Sequence, residues 1–391
     1  MNCDFLFHIL IPFVVSLVVS IWFFPRVLHI ALKKNFVDVP DERKLQKRPV
    51  PVIGGVAVML GIFVSIGISS AFYLSDDFLI IALSMFAMLC VGTIDDLANL
   101  SPLVRLMVEA LVVLLLIYAC DIGIDSFHGL WGIYLLPRYV AIPLSLLAVV
   151  GIANAINLID GVDGYSSGFC MLACIAWAAF FYLQGNISMV ILASACVAAL
   201  IPFFFHNVFG VTSKMFIGDG GTLLMGSVMG VFVLNAFSTS TKMVCLNSFP
   251  LGFVAFALAV LSIPVFDTLR VMMLRISRGS SPFKPDKEHL HHLFIDMGFS
   301  HIGTTLSILS LNVLIVLVCF ISCLCGASVD MQLYIVIFLA ALFTFGLYGL
   351  MRRQEKRNGR LWQMMQRWGR FTHVEHKKGF LCLQRWMDGK K

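Results

Sequence analysis

Long apolar segments alternate with short polar loops along most of the chain. A helix needs about 20 predominantly apolar residues to cross the hydrocarbon core of a bilayer. Eleven segments meet that need, at approximately 5–32, 52–74, 78–94, 103–120, 138–156, 167–183, 187–205, 217–238, 247–270, 303–325 and 330–350. Uninterrupted runs such as "LVVLLLIYA" favour helices over the alternating strands of a membrane β-barrel. We therefore expect an all-α fold, a polytopic membrane bundle of about eleven transmembrane helices.

Composition agrees with a membrane protein. The chain is 59% hydrophobic and only 13% charged, whereas an average soluble domain has roughly 25% charged residues. The first apolar segment lacks the basic leader and small-residue cleavage site of a signal peptide, so we expect it to stay in the protein. The 11 Cys residues lie mostly in apolar segments, and we interpret them as packing residues rather than zinc ligands.

Lys and Arg in short loops predict the orientation. If odd-numbered spans run from outside to inside, only Arg26, Arg138 and Lys242 remain outside. We therefore predict the N-terminus outside and the C-terminus in the cytoplasm. Two units follow, an integral membrane domain of residues 1–350 and a basic cytoplasmic tail of residues 351–391. The tail's Trp and basic residues suit a surface of anionic lipid, and we assign it no catalysis.

Four polar motifs fall in different inside loops or span ends, and the first is "GTIDDLANLSP". Asp95 and Asp96 are adjacent carboxylates at the end of span 3, followed by Asn99. Neighbouring like charges raise each other's pKa unless a cation compensates them. Mg²⁺ is the natural cation, since it binds through one or two carboxylates with waters and phosphates. The alternative is a solvated helix end.

The second motif is "NAINLIDGVDG", which places two amides and two carboxylates at three-residue steps. These residues are Asn154, Asn157, Asp160 and Asp163. Gly161 and Gly164 are expected to break the helix and place both acids in a compact loop. Amide and carboxylate groups together can recognise the donors and acceptors of a base or a sugar. The alternative is a pair of Asn side chains that bond across helices beside an ordinary glycine turn.

The third motif, "FIGDGGT", places Asp219 among glycines at the start of span 8. Free N–H groups at a helix N-terminus favour phosphate, and Asp219 is positioned to hold a metal against it. Phe216 is a candidate for stacking on a base, with core packing as the alternative.

The fourth motif, "DKEHLHHL", supplies His289, His291 and His292. Their spacing does not suit a helical zinc pair, which needs two His residues four positions apart. Imidazoles with nearby cations suit a diphosphate, and a solvated polar loop is the alternative. In the basic loop 33–51, Lys44 or Arg43 is a candidate for binding the head group of an anionic lipid. The alternative is non-specific attraction of the loop to the membrane surface.

Two further acids lie within spans. Glu109 follows Arg105 by four residues, so we interpret the two as an intrahelical pair. Asp267 is a functional candidate because it is an acid inside a span. A pair with Arg270, three residues later, is equally consistent with the sequence.

Taken together, the four motifs resemble the polyprenyl-phosphate N-acetylhexosamine-1-phosphate transferases, with the likeness running in order from about Asp38 to His301. The resemblance implies a bacterial inner-membrane enzyme of ten or eleven spans with its active site on the cytoplasmic face. It implies a Mg²⁺ cofactor, for which Mn²⁺ substitutes, and partners that are a UDP-N-acetylhexosamine, undecaprenyl phosphate and membrane lipid, with no nucleic acid. Such an enzyme moves a sugar 1-phosphate from the UDP-sugar to undecaprenyl phosphate and releases UMP. A homodimer is left open.

The resemblance also implies roles for the residues. Asp219 and Asp96 would bind the metal, and Asp95 would deprotonate the lipid phosphate, with Asp96 supporting metal or base. Lys44 matches the family's carrier-phosphate lysine, and Arg43 lies beside it. The acids assigned to catalysis are Asp95, Asp96, Asp160 and Asp163. The nucleotide-sugar pocket would be lined by Asn154, Asn157, Asp160, Asp163, Phe216, His289, His291 and His292.

Two branches of the family, and one different class, are the alternatives. The peptidoglycan branch, which transfers phospho-MurNAc-pentapeptide, has three adjacent His residues. "SPFKPDKEHLHH" is more similar to the branch that transfers GlcNAc 1-phosphate to start O-antigen, common-antigen or teichoic-acid synthesis. Gln46, Thr222 and the longer spacing from Asn207 to Phe216 depart from that branch's pattern. A lipid or solute transporter is disfavoured, because we find no internal repeat and the acids cluster at one face.

Overall fold

Helices make up nearly all of the regular structure. The computed structural model describes residues 3–38, 49–73, 77–282 and 287–389, apart from the side chains of residues 3–8 and 70–73. In chain order the helices are α1 (Cys3–Lys34), α2 (Gly54–Tyr73), α3 (Phe78–Ala98), α4 (Pro102–Ala119), α5 (Arg138–Leu158), α6 (Tyr165–Gln184), α7 (Ile187–Phe209), α8 (Gly218–Phe237), α9 (Phe253–Val260), α10 (Ser262–Ser277), α11 (Leu290–Asp296), α12 (His301–Leu324), α13 (Val329–Ala341), α14 (Leu347–Lys356), α15 (Arg360–Phe371) and α16 (Lys378–Met387).

Short elements complete the described part. A 3-10 turn covers Leu130–Gly132, and the π-helical segment Leu342–Gly346 joins α13 to α14. Two antiparallel strand pairs of two residues each occur: β1 (Val37–Asp38) with β2 (Val50–Pro51), and β3 (Cys245–Leu246) with β4 (Phe249–Pro250).

The all-α, multi-pass membrane architecture predicted from the hydropathy pattern is confirmed. In the described residues, nine helices are long and apolar enough to cross a membrane, or ten if the bent pair α9 and α10 counts as one span. The sequence pattern predicted eleven. The remaining predicted span corresponds to α2, whose apolar part, Gly54–Ser69, is shorter than the others.

The ninth predicted span is not straight. α9 and α10 meet at an angle of 76°. Pro264 has no N–H to donate to the carbonyl of Val260, so the helix is broken there. Asn312 of α12 replaces the missing bonds: its Nδ2 donates to the Val260 carbonyl at 3.0 Å, and its Oδ1 accepts the N–H of Ile263 at 3.2 Å. The bend is therefore stable without water, as a membrane interior requires.

α8 lies at the centre of the bundle. Every residue of α8 except Asp219 and Asn235 is buried, and the helix contacts α2, α3, α5, α6 and α9. Its small residues permit this close packing: a Cβ added at Gly226 would lie 2.6 Å from the Cα of Ala153 on α5. Without a hydrophobic force between helices in lipid, such close approach is a main source of association.

One crossing, between α3 and α8, positions the polar motifs. A Cβ added at Gly92 would lie 2.4 Å from the carbonyl oxygen of Asp219, and one at Gly220 would lie 2.4 Å from Thr93 Oγ1. The two helices therefore touch backbone to backbone. As a result, Asp219 lies beside Asp95. The guanidinium nitrogen Nη1 of Arg105 lies 3.1 Å from an oxygen of each of these carboxylates.

This crossing gives a testable prediction. Gly92→Ala should lower the free energy of unfolding by about 1–3 kcal/mol, because its methyl group would overlap backbone atoms that cannot move aside. The matched control is Gly151→Ala on α5, where no described atom lies within 4 Å of the added methyl. Thermal unfolding in detergent measures both variants. Equal melting temperatures for the two would contradict the close crossing.

Candidate functional site

A polar cavity of about 680 Å³ opens where the loops of one end of the bundle meet. This volume is in the range of small-molecule sites, roughly 300–1,000 Å³. All four polar motifs contribute to its lining, with Asp95, Asp96, Asn99, Asp160, Gly161, Val162, Asp163, Phe216, Gly218, Asp219 and His292. The other lining residues are Val37, Asp38, Val52, Asn207, Lys214 and His301. The motifs therefore converge on one site.

Arg105 of α4 connects the acids at the base of this cavity. Its Nη1 donates to Asp95 Oδ2 and to Asp219 Oδ2, each at 3.1 Å, and its Nε donates to Glu109 Oε1 at 3.1 Å. The predicted pair with Glu109 is present, but it is one contact of several. A planar guanidinium with five donors suits such a multiple contact, which a lysine would not reproduce.

Asn154 and Asn157 on α5 turn toward Arg105. Their Oδ1 atoms accept from Arg105 Nη2 at 2.8 and 3.2 Å. Asn154 Nδ2 donates to Glu109 Oε2 at 2.6 Å, and Asn157 Nδ2 donates to Thr222 Oγ1 at 2.9 Å. Neither amide lies among the residues that line the cavity. The structure thus places both behind the acids, where they fix the guanidinium.

Asp95 and Asp96 differ in their surroundings. Both oxygens of Asp95 are engaged, Oδ1 by the N–H of Leu100 at 2.8 Å and Oδ2 by Arg105. Asp96 Oδ2 accepts the N–H of Gly220 at 3.3 Å. Asp96 therefore contacts a backbone N–H, whereas Asp95 contacts the guanidinium of Arg105.

The acids fit a divalent cation that is shared with a ligand. Asp95, Asp96 and Asp219 present oxygen donors, which Mg²⁺ prefers, on one wall of the cavity. Within the described residues, no group of three or more His, Cys, Asp or Glu side chains is close enough to hold a metal ion. Mg²⁺ is commonly bound by one or two carboxylates together with substrate phosphates. The donor set therefore fits a Mg²⁺ ion that completes its coordination with waters and substrate phosphate.

Phe216 is held at the cavity by backbone pairing. Its N–H donates to the Pro51 carbonyl at 2.7 Å, and its own carbonyl accepts from the N–H of Gly54 at 3.0 Å. Gly218 follows with φ of 71°, and a Cβ there would lie 2.0 Å from the Val52 carbonyl. The glycines of "FIGDGGT" therefore serve close packing, and the ring of Phe216 remains on the cavity wall.

Asp163 is held by a lysine and a histidine. Lys214 Nζ and His301 Nδ1 lie 2.6 and 2.8 Å from Asp163 Oδ2. Burial alone would raise the pKa of Asp163, but the hydrogen bond from His301 and the charge of Lys214 outweigh it and lower that pKa. Asp163 is therefore ionised at neutral pH.

Asp160 lies in the same loop in a different environment. It accepts a hydrogen bond from Ser166. Burial, with the nearby charges of Asp219 and Asp163, raises the pKa of Asp160 to about 7. The two acids of one short loop therefore differ in protonation near neutral pH, a pattern common at functional sites.

Only one of the three motif histidines lines the cavity. His292 does so, whereas His291 is buried against Gly161 and His289 Nδ1 bonds Asp267 Oδ2 at 2.9 Å. Burial and the neighbouring imidazoles keep the pKa of His291 well below its usual value, so it is neutral. Asp267 also bonds Arg270 at 2.7 Å. His289, Asp267 and Arg270 therefore form one hydrogen-bonded cluster at the start of α11, the helix that carries His292.

Two candidate residues are outside the described part of the chain, and some site residues were not predicted. Lys44 and Arg43 fall outside the described residues. Lys214 and His301 were not predicted as site residues, although Lys214 lies just before the motif that begins at Phe216. Arg105 was predicted only as half of a local pair, because its other partners are 10 to 114 positions away.

Comparison with known proteins finds similarity across the same region. The family model described as glycosyl transferase family 4 matches residues 78–237. The chain is 29% identical over 298 residues to "Probable undecaprenyl-phosphate N-acetylglucosaminyl 1-phosphate transferase" of Bacillus subtilis, covering 75% of this chain and 79% of the relative. It is 31% identical over 286 residues to "Undecaprenyl-phosphate alpha-N-acetylglucosaminyl 1-phosphate transferase" of Escherichia coli O157:H7. That match covers 71% of this chain and 73% of the relative.

The role of Arg105 can be tested through stability. Arg105→Met leaves partly buried carboxylates without their cation and should lower the free energy of unfolding by about 3 kcal/mol. Arg278→Met is the control, since Arg278 pairs with Glu288 at 3.0 Å while its side chain is 57% exposed. An exposed pair contributes at most about 1 kcal/mol. If Arg105→Met unfolds at the same temperature as the control, Arg105 does not hold the site together.

Proposed function

The chain belongs to the undecaprenyl-phosphate N-acetylglucosaminyl 1-phosphate transferases of glycosyl transferase family 4, and from this premise we propose how its cavity performs the transfer. The reaction moves GlcNAc 1-phosphate from UDP-GlcNAc to undecaprenyl phosphate. A phosphate oxygen of the lipid attacks the β-phosphorus of the donor, the bond from that phosphorus to the UMP oxygen breaks, and UMP leaves. The observation that carries the proposal is the excess of carboxylates over cations in a cavity of substrate size.

The donor is assigned to the side of the cavity formed by the loop before α6 and the start of α8. Phe216 offers an aromatic face for uracil, since its ring lies on the wall and its backbone is fixed. We assign contact with the diphosphate to His292 and to Lys214, whose Nζ lies 5.8 Å from the centre of that ring. Ionised Asp163 is assigned to orienting Lys214 and His301 rather than to direct contact with phosphate.

The acceptor phosphate is assigned to the side of Asp96. Because both oxygens of Asp95 already accept hydrogen bonds, we assign contact with metal or acceptor proton to Asp96 and the anchoring of Arg105 to Asp95. Asp219 is the other metal ligand. Bound Mg²⁺, or Mn²⁺ in its place, would neutralise charge on the two phosphates and on the developing UMP oxygen. The protein's own part is to hold both reactants in line.

A site at the end of a helical bundle suits two such different substrates. The isoprenoid tail of the acceptor stays among the apolar spans while its phosphate reaches a water-soluble donor. From the distribution of basic loops we propose that this end faces the cytoplasm of a bacterial inner membrane. The lipid-linked product would start a cell-envelope glycan such as O-antigen, common antigen or teichoic acid.

Transfer by the purified protein tests the proposal. With undecaprenyl phosphate and UDP-GlcNAc in detergent, we expect UMP release and a lipid-linked sugar with Mg²⁺, and neither with EDTA. Asp219→Asn should reduce kcat about 100-fold or more because it removes a metal ligand. As a control, Asp330→Asn changes a carboxylate that accepts the backbone N–H of Trp131 away from the cavity, and this variant should keep wild-type activity.

A panel of UDP-sugars completes this test. Release of UMP from UDP-MurNAc-pentapeptide instead of UDP-GlcNAc would overturn the assigned sugar. Absence of release from UDP-GlcNAc, UDP-GalNAc and UDP-MurNAc-pentapeptide, with folded protein and lipid present, would overturn the assigned reaction.

A further inference from the structure

The basic tail contacts the loops that carry the catalytic cavity. α15 and α16 leave large aromatic side chains exposed, the pattern expected of helices at a lipid surface. The tail also contacts the membrane domain. Phe380 of α16 packs on Phe209 at the end of α7, with ring centres 5.0 Å apart, and Arg352, where α14 enters the tail, pairs with Asp296 at 2.8 Å. The tail therefore docks at the end of the bundle where the cavity opens.

The first docking point is the carboxylate of Asp388. Its Oδ1 accepts the N–H groups of three consecutive residues, Val211, Thr212 and Ser213, at 3.0, 3.0 and 3.1 Å, and the hydroxyl of Ser213 at 3.1 Å. Successive backbone N–H groups that point inward form a concave anion site. Here a residue 175 or more positions away fills that site. The loop before Lys214 is thus closed around the end of the tail.

The second docking point is Thr372. The N–H of Ser300 donates to Thr372 Oγ1 at 2.9 Å, and the hydroxyl of Ser300 donates to the Thr372 carbonyl at 2.7 Å. Ser300 also caps α12 by accepting the N–H of Gly303 at 3.1 Å. A Cβ at Gly303 would lie 2.3 Å from that of Thr372, so the tail sits directly on the first turn of α12.

Each docking point lies next to a residue that contacts Asp163. Lys214 follows Ser213 in the chain, and His301 follows Ser300. These are the two groups that hold Asp163 Oδ2, at 2.6 and 2.8 Å. The tail therefore contacts the residue before each arm of the clamp that Lys214 and His301 form around Asp163.

We propose that the tail residues 360–389 form a support for the donor subsite, in which Asp388 positions Lys214 and Thr372 positions His301. The inference rests on the proposed function, because it assigns the donor to this side of the cavity. Neither residue touches substrate. A nucleotide-sugar meets a rigid clamp when the tail is docked and a loosened one when it is not, and small displacements of such groups reduce transfer strongly.

Point variants of the full-length protein test each docking point. Asp388→Ala removes the acceptor, whereas Asp388→Asn keeps an oxygen for the three N–H groups. Thr372→Val removes the hydroxyl at constant shape, and Thr372→Ser restores it. Glu375→Gln serves as control, since it changes an exposed carboxylate of the same tail whose partner is His373 at 3.5 Å.

Two measurements are made on each variant. Hydrogen exchange followed by mass spectrometry reports the protection of residues 211–213 without any need for activity. Steady-state transfer gives KM for UDP-GlcNAc, KM for undecaprenyl phosphate and kcat. A loss of folded protein would lower kcat alone, so a selective change in the donor's KM identifies positioning.

We expect Asp388→Ala to speed exchange at residues 211–213 and to lower kcat/KM for UDP-GlcNAc about tenfold or more, mainly through KM. Asp388→Asn should keep most of the exchange protection at residues 211–213 and most of the kcat/KM for UDP-GlcNAc. Thr372→Val should show the same selective effect on the donor, and Thr372→Ser should not.

Unchanged exchange in Asp388→Ala would overturn the docking, and faster exchange with unchanged kinetics would overturn the positioning role. A wild-type protein that releases no UMP would instead contradict the proposed function, while the exchange result would still decide whether the tail holds the loop.

Discussion

The guanidinium of Arg105 is the interaction on which the site depends. It joins carboxylates from three helices, Asp95 on α3, Glu109 on α4 and Asp219 on α8, and two amides on α5. Acids this close would repel one another in a partly buried place without a cation. The fixed positive charge lets them converge while the cavity above keeps an excess of negative charge. That excess suits a divalent cation, which in turn can bind the oxygens of a diphosphate.

The fold supplies this convergence through close helix crossings. Glycines at the crossing of α3 with α8 bring backbone against backbone, and the acids follow as a consequence. The loops at this end of the bundle then close the cavity, with the strand pair β1–β2 and the segment through Phe216 on one side. A lipid-borne acceptor and a water-soluble donor meet only at such a boundary. The tail contacts these loops from outside, through Asp388 at residues 211–213 and through Thr372 at Ser300.

The sequence was sufficient for the fold class and the family, both of which are confirmed. Hydrophobic segments of span length leave little choice of architecture. Pro264 is a local signal for a break, but the groups that stabilise the bend of 76° were not predictable, because they come from Asn312, about fifty positions later. Asn154 and Asn157 have the chemistry of a ligand pocket, yet tertiary contacts turn them to Arg105. The docking of Asp388 on residues 211–213 gave no local signal, since backbone N–H groups are invisible in a sequence. The assigned roles of Asp96, Asp160, Phe216 and His292 stay predictions.

We propose that this acid-rich cavity accepts a nucleotide-sugar only with a divalent cation. Calorimetric titration of UDP-GlcNAc into the purified protein, with Mg²⁺ and with EDTA, tests this dependence without any turnover. We expect UDP-GlcNAc to bind at least about tenfold more tightly with Mg²⁺, because the cation offsets repulsion between the diphosphate and the carboxylates. Equal affinity in EDTA would show that the protein's own cations are sufficient and that the cavity does not need the metal.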